Sequence, residues 1–171
     1  VPESLADRYV LWSLLGAALL VSVITDLKAR RIPDWVTYPT ALLALGFRFY
    51  RQGLGDLDTG LVSGLASASG AAAFFAFWAL RRRIGWGDVK LVFAAGAAFG
   101  WPLVLAALAF ISLCSFLQGL VTLIWKGEVA KTLGAMLRLK RGKEGEPLYI
   151  PFGVAIALGC LWAMWWDRNN P

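Results

Sequence analysis

The chain has 171 residues, of which 58% are hydrophobic and 16% charged, and its formal net charge is +6. Soluble domains run nearer about 45–50% apolar and about 25% charged. These figures exclude a disordered tail, a coiled coil and an ordinary soluble enzyme. Six bilayer spans of roughly 20 residues need about 120 residues. What is left suffices for loops and tails, so residues 1–171 are expected to form a single membrane-embedded domain. Histidine is absent. That removes zinc sites of the His-Glu-x-x-His type and every Ser–His or Cys–His nucleophile pair.

Six apolar segments follow in chain order, at about 9–25, 35–50, 60–80, 88–100, 102–125 and 148–166. They predict an all-α polytopic membrane protein, a bundle of six transmembrane helices. The first, Val10 to Ile24, imitates a signal peptide. It runs into Asp26-Leu27-Lys28-Ala29-Arg30-Arg31 and not into a small-residue cleavage site, so it is read as a retained span. Gly100-Trp101-Pro102 predicts a tight turn between antiparallel fourth and fifth helices, with Pro102 in the first turn of the next helix. Gly60 and Gly64, and Gly96 and Gly100, have the spacing of closely packed membrane helices. Packing inside one bundle is preferred here over a homodimer face. Cys114 and Cys160 each sit midway in an apolar run and are read as small core residues. Residues 128–140 place Val129, Leu133, Met136 and Leu137 on one helical face, with Lys131 and Arg138 roughly opposite. This predicts a short amphipathic helix on the cytoplasmic surface, held by anionic lipid headgroups.

The basic residues divide unevenly between the loops. Lys28, Arg30, Arg31, Arg81, Arg82, Arg83, Lys90 and the six after the fifth segment make thirteen on one side. Arg8, Arg48, Arg51 and Arg168 are the four on the other. The positive-inside rule then puts both termini outside and the loops after the first, third and fifth helices in the cytoplasm. The excess charge is thereby a matter of topology, and no nucleic-acid partner is expected.

Of eleven acidic residues, Glu3, Asp7, Asp56, Asp58, Glu128, Glu144, Glu146 and Asp167 are read as solvated surface charge. Asp26 ends the first segment, Asp34 opens the second and Asp88 opens the fourth. Ionisable groups at membrane depth are costly and are functional candidates by default. The topology puts all three on the cytoplasmic side. Two close carboxylates share a proton. One takes a proton from water while the other donates to a carbonyl oxygen, which hydrolyses a peptide bond without metal, cofactor or covalent intermediate. Gly85 and Gly87, just before Asp88, allow unusual dihedrals and let an extended substrate lie close to the backbone. The competing reading makes Asp88 an N-cap. Asp34, after Ile32 and Pro33, is expected to cap its helix. Lys90 should face another side of the helix and reach the headgroups.

At these residues the sequence resembles the type IV prepilin peptidases, of the Gly-x-Gly-Asp class of intramembrane aspartic proteases. The matching stretches are Asp26-Leu27-Lys28-Ala29-Arg30-Arg31-Ile32-Pro33-Asp34, Gly85-Trp86-Gly87-Asp88-Val89-Lys90-Leu91 and Pro147-Leu148-Tyr149-Ile150-Pro151-Phe152-Gly153. The resemblance implies that Asp26 and Asp88 are catalytic. It makes Gly85, Gly87, Ile32, Pro33 and Asp34 motif and substrate-backbone support. It also implies cleavage of a short basic leader from a prepilin or pseudopilin at the cytoplasmic face of the inner membrane, usually after a glycine. Larger members carry a cysteine-rich domain and methylate the new N-terminus. This chain has neither the Cys-x-x-Cys pairs nor that length, so it resembles the short peptidase-only type, and methyl transfer is not expected. The alternative is a small proton-coupled transporter using Asp26 and Asp88. Against it, no repeat halves are visible and both aspartates lie near one face, not the midplane.

Overall fold

The computed structural model describes residues 4–29, 31–80, 85–125 and 152–170. The amphipathic segment 128–140, Arg81–Arg83 and the stretch before Phe152 in the third matching motif lie outside the described residues. Six helices occur among those described: α1 (Leu5–Ala29), α2 (Asp34–Gln52), α3 (Gly60–Leu80), α4 (Trp86–Phe99), α5 (Leu103–Trp125) and α6 (Phe152–Asn169). Each coincides with one expected apolar segment. Three of them, α1, α3 and α5, are long and apolar enough to cross a membrane. The other three differ for visible reasons. The 14 residues of α4 reach about 21 Å, short of a hydrocarbon core of about 30 Å. Asp34, Arg48 and Arg51 interrupt the apolar character of α2, and Asp167 and Arg168 that of α6.

Polar contacts define two ends of the bundle. At one, the start of α6 meets the end of α1 through Gly153 and Asp26, and the starts of α2 and α4 meet through Asp34 and Lys90. At the other, Arg51 of α2 donates to Asp7 of α1 at 2.8 Å, and Arg8 of α1 pairs with Asp167 of α6 at 2.7 Å. Successive helices therefore alternate in direction between an aspartate end and an arginine end.

The most extensive pairings are α3 on α4 and α5 on α6. Small residues make them possible. A β-carbon on Gly96 would lie 2.7 Å from the Ser67 carbonyl oxygen, and one on Gly159 would lie 2.5 Å from the Ile111 backbone. Phe110 of α5 stacks on Trp162 of α6 with centroids 4.8 Å apart. Gly64 meets Leu45, Arg48 and Ala97 within the same bundle, as the packing reading expects. Cys160 is buried in the core, Cys114 is half-buried, and both are free thiols.

The turn at residues 100–102 is present. Gly100 has φ +70° and its N–H donates to the Gly96 carbonyl at 3.0 Å, a left-handed C-terminal cap. A side chain there would also collide with the Arg48 guanidinium, 2.6 Å away. That guanidinium corrects one expectation. Arg48 does not flank a span in solvent; it is 2% exposed and donates to the Ala97 and Ala98 carbonyls, both at 2.9 Å. It satisfies the last carbonyls of α4 and complements the negative end of that helix. Asp7 is a second correction. Far from being solvated, it is 8% exposed and receives both Nε and Nη2 of Arg51. Asp56 and Asp58 are exposed as expected.

Replacing Arg48 strands two buried carbonyls, each worth about 1–3 kcal/mol when left without a donor. Arg48→Met should therefore lower the thermal unfolding temperature of the purified protein in detergent clearly more than Arg51→Met does. Equal unfolding of Arg48→Met and wild type would show that this cap does not support the fold.

Candidate active site

Asp26 lies in the last turn of α1 and is 5% exposed. Its Oδ2 accepts the Gly153 N–H at 3.0 Å. Gly153 is the second residue of α6, so this N–H is one of the donors a helix start leaves unpaired. The positive end of the α6 dipole thus faces the carboxyl. A β-carbon on Gly153 would sit 2.8 Å from that same oxygen. Only glycine lets the α6 backbone come this close.

Asp88 lies in the first turn of α4, is 8% exposed and accepts the Gly85 N–H on Oδ2 at 3.2 Å. The cap residue of α4 is Gly85, and Asp88 stands three positions further on. It is therefore the reciprocal half of a capping box and not the N-cap. Gly85 is extended, with φ −73° and ψ 147°, and neither it nor Gly87 is among the left-handed glycines. The expected unusual dihedrals are absent from this turn. What Gly87 provides is close approach: a β-carbon there would be 3.1 Å from the Ile32 β-carbon. Ile32 thereby packs against the turn that carries Asp88. Asp26 and Asp88 are both buried and lie at the same end of the bundle.

The Ile32-Pro33-Asp34 step differs from its sequence reading in one respect. Pro33 is the cap residue of α2 and makes no side-chain cap, so Asp34 falls inside the first turn. Its carboxylate accepts both hydrogen bonds from Lys90 Nζ, at 2.7 and 2.8 Å. The Lys90 ammonium also stands 5.1 Å from the centre of the Tyr38 ring. Lys90 does not simply reach outward to headgroups; a carboxylate within reach of a flexible ammonium holds it beside the site.

Two site neighbours escaped the sequence reading. Gly153 carried a signal, because the Pro-Phe-Gly stretch was singled out for its resemblance and not for contact with Asp26. Ser22 carried none. It is fully buried one helical turn before Asp26, hence on the same face of α1, and its hydroxyl has no hydrogen-bond partner. A cavity of about 400 Å³ lies elsewhere, at the arginine end, lined by Arg8, Trp12, Trp101, Trp166 and Asp167 among others. It is about 27 Å from Asp26, counted along α1 at 1.5 Å per residue. Its size does not make it the site, because the buried carboxyl pair is at the opposite end. Among the described residues no group of three metal-ligating side chains gathers.

An alternating bundle with membrane-length helices and two buried carboxyls at one end defines a helical membrane protein with acid–base groups at its edge. The chain belongs to the type IV leader peptidase family, whose pattern it matches over residues 13–124. It is 32% identical over 166 residues to the prepilin leader peptidase/N-methyltransferase of Pectobacterium carotovorum, covering 90% of this chain and 51% of that protein. The protein of the same name from Aeromonas salmonicida is 30% identical, over 91% of this chain and 51% of its own length. That from Pseudomonas aeruginosa is 27% identical, over 92% and 48%. The chain spans about half the length of the curated relatives it matches. No solved structure matches it. The family and the three membrane-length helices together indicate a membrane location.

The Gly153 contact generates a direct test. Gly153→Ala should push the Asp26 carboxyl off this donor and lower the thermal unfolding temperature of the purified protein in detergent, because a buried acceptor that loses its donor costs about 1–3 kcal/mol. Gly16→Ala is the control, since nothing lies within 4 Å of that position. Unfolding of Gly153→Ala at the wild-type temperature would mean that Asp26 does not need the α6 backbone.

Proposed function

We propose that the protein is an intramembrane aspartic endopeptidase that removes the basic leader from prepilin or pseudopilin precursors, with Asp26 and Asp88 as its catalytic pair. The observation that carries this reading is the burial of two carboxyls, Asp26 and Asp88, at the same end of the bundle. Family membership supports the peptidase. We assign peptide-bond cleavage, and not the methyl transfer in the relatives' names, to these residues, because a carboxyl pair supplies acid–base chemistry. No metal or cofactor enters the scheme.

In the proposed reaction the pair holds one proton. The ionised carboxylate removes a proton from water as the water oxygen attacks the scissile carbonyl carbon. The protonated partner gives its proton to the carbonyl oxygen, forming a neutral tetrahedral diol. A proton then passes from the first carboxyl to the leaving nitrogen, the C–N bond breaks, and the second carboxyl recovers its proton from the diol. Burial against apolar helices strengthens each of these electrostatic interactions.

We also propose that all six helices lie across the inner membrane as a single domain, with the aspartate end facing the cytoplasm and both termini outside. The nine tryptophans support this. Trp35, Trp78, Trp86 and Trp125 sit toward the aspartate end, and Trp12, Trp101, Trp162, Trp165 and Trp166 toward the other. Two such belts are what two membrane–water interfaces select. In this arrangement the short α4 opens a thinner stretch of bundle beside Asp88.

Asp26→Asn and Asp88→Asn keep shape but cannot exchange the carboxyl proton. Each should abolish most cleavage of a tagged prepilin in membranes, and the double variant should be little worse than either, because residues acting as one unit are not additive. A well-expressed single variant cutting at near wild-type rate would refute the paired mechanism. Topology is tested separately. A cysteine placed among Arg81–Arg83 should react with a membrane-impermeant reagent only from the cytoplasm, and one at Asp56 only from outside. The reverse pattern would put the aspartate end on the wrong side for a cytoplasmic leader.

A further inference from the structure

The pairing of Asp34 with Lys90 has no role in the acid–base scheme, yet it bridges the two segments that carry the aspartates. Asp26 and Asp34 lie on either side of the short connection between α1 and α2. Asp88 lies in the first turn of α4, which the chain reaches only after the whole of α2 and α3. Two contacts fasten that connection to that turn. Ile32 abuts Gly87, just before Asp88, and Asp34 grips Lys90, two residues after it.

We propose that Asp34 and Lys90 form a clip that sets the position of Asp88 relative to Asp26, making both positioning residues for the cleavage. The proposal rests on the peptidase reading given above. Residues 88 and 90 point to different sides of a helix, so Lys90 acts on Asp88 through the α4 backbone. The geometry suits the task. Two hydrogen bonds to one ammonium, and the Tyr38 ring beneath it, fix Lys90 from two sides. The apolar Ile32–Gly87 contact prevents the turn from sliding along the connection. The pair is partly open to solvent, with side-chain exposures of 31% and 58%, and pairs of that kind contribute little to stability. The clip therefore biases an arrangement of the two carboxyls and does not hold up the fold.

The test uses the full chain in detergent or membranes with a prepilin substrate. Asp34→Asn and Lys90→Met each break the ion pair while nearly keeping side-chain size. Each should lower kcat about three- to fivefold with KM unchanged. Lys90→Arg should stay within about twofold of wild type, since a guanidinium also pairs with a carboxylate. The exchanged double variant, Asp34→Lys with Lys90→Asp, should recover most of the loss of either single exchange. Wild-type kcat in Asp34→Asn or Lys90→Met would overturn the proposal. So would a loss confined to KM, which would mean that the pair touches the leader directly, or an exchanged variant no better than its singles.

A second readout does not depend on activity. Spin labels at Trp35→Cys and Trp86→Cys, with Cys114 and Cys160 replaced by alanine, report the separation of the two segments. Their distance distribution should be narrow with Lys90 and broader with Lys90→Met. An unchanged distribution would overturn the clip. If instead Asp26→Asn and Asp88→Asn remain active while the distribution still broadens, the catalytic assignment fails and the clip stands.

Discussion

A carboxyl group inside an apolar bundle must find hydrogen-bond donors there, and most of this architecture follows from that requirement. Asp26 is placed where its own helix cannot help, since the end of a helix presents carbonyls and the negative end of a dipole. The donor comes from the start of α6, through the Gly153 N–H. Asp88 is placed the other way round, in the first turn of α4, where its own helix offers the Gly85 N–H. For both to be served at one place, α1 must finish where α4 and α6 begin. That single condition fixes the alternation of directions through the bundle. It also fixes which residues must be small, because a backbone donor reaches a buried carboxyl only if no side chain intervenes.

Much of this was legible in the sequence. The six helices coincide with six apolar segments because segment length and the punctuation by Gly, Pro and charge are both local properties. The sequence marked three acids at the edges of apolar runs; Asp26 and Asp88 are buried, and the Asp34 side chain is 58% exposed. The details that failed were those that depend on a partner far along the chain. Asp34 looks like a helix cap when only its neighbours are considered, and its actual partner is Lys90, 56 residues away. Asp7 looks solvated until Arg51 folds onto it, 44 residues on. Arg48 looks like a flanking charge until α4 ends against it. Local pattern fixes where a helix lies; only packing decides which polar groups meet across helices.

The glycines separate in the same way. Gly100 has a positive φ in the tight turn that the sequence predicts, though the sequence did not single out that conformation. Gly87, Gly96 and Gly153 have no unusual conformation; each is required by the backbone or side chain that comes against it. The motif Gly85-Trp86-Gly87-Asp88 therefore has two glycines with different work. Gly85 supplies the N–H that Asp88 accepts, and Gly87 makes room for Ile32. Neither provides backbone strain, so strain is not the source of whatever reactivity Asp88 has.

The two ends of the bundle treat charge in opposite ways, and that contrast bears on function. At the arginine end charges of opposite sign meet: Asp7 with Arg51, Arg8 with Asp167, and Arg48 with helix carbonyls. Each of these pairings offsets the cost of burying a charge. At the aspartate end Asp88 is buried like Asp26, and its hydrogen bond comes from a neutral backbone N–H. Lys90, the ammonium nearest in sequence to Asp88, is engaged by Asp34. Burying a carboxyl against a neutral donor costs stability. Such arrangements cluster at sites where proton transfer is required.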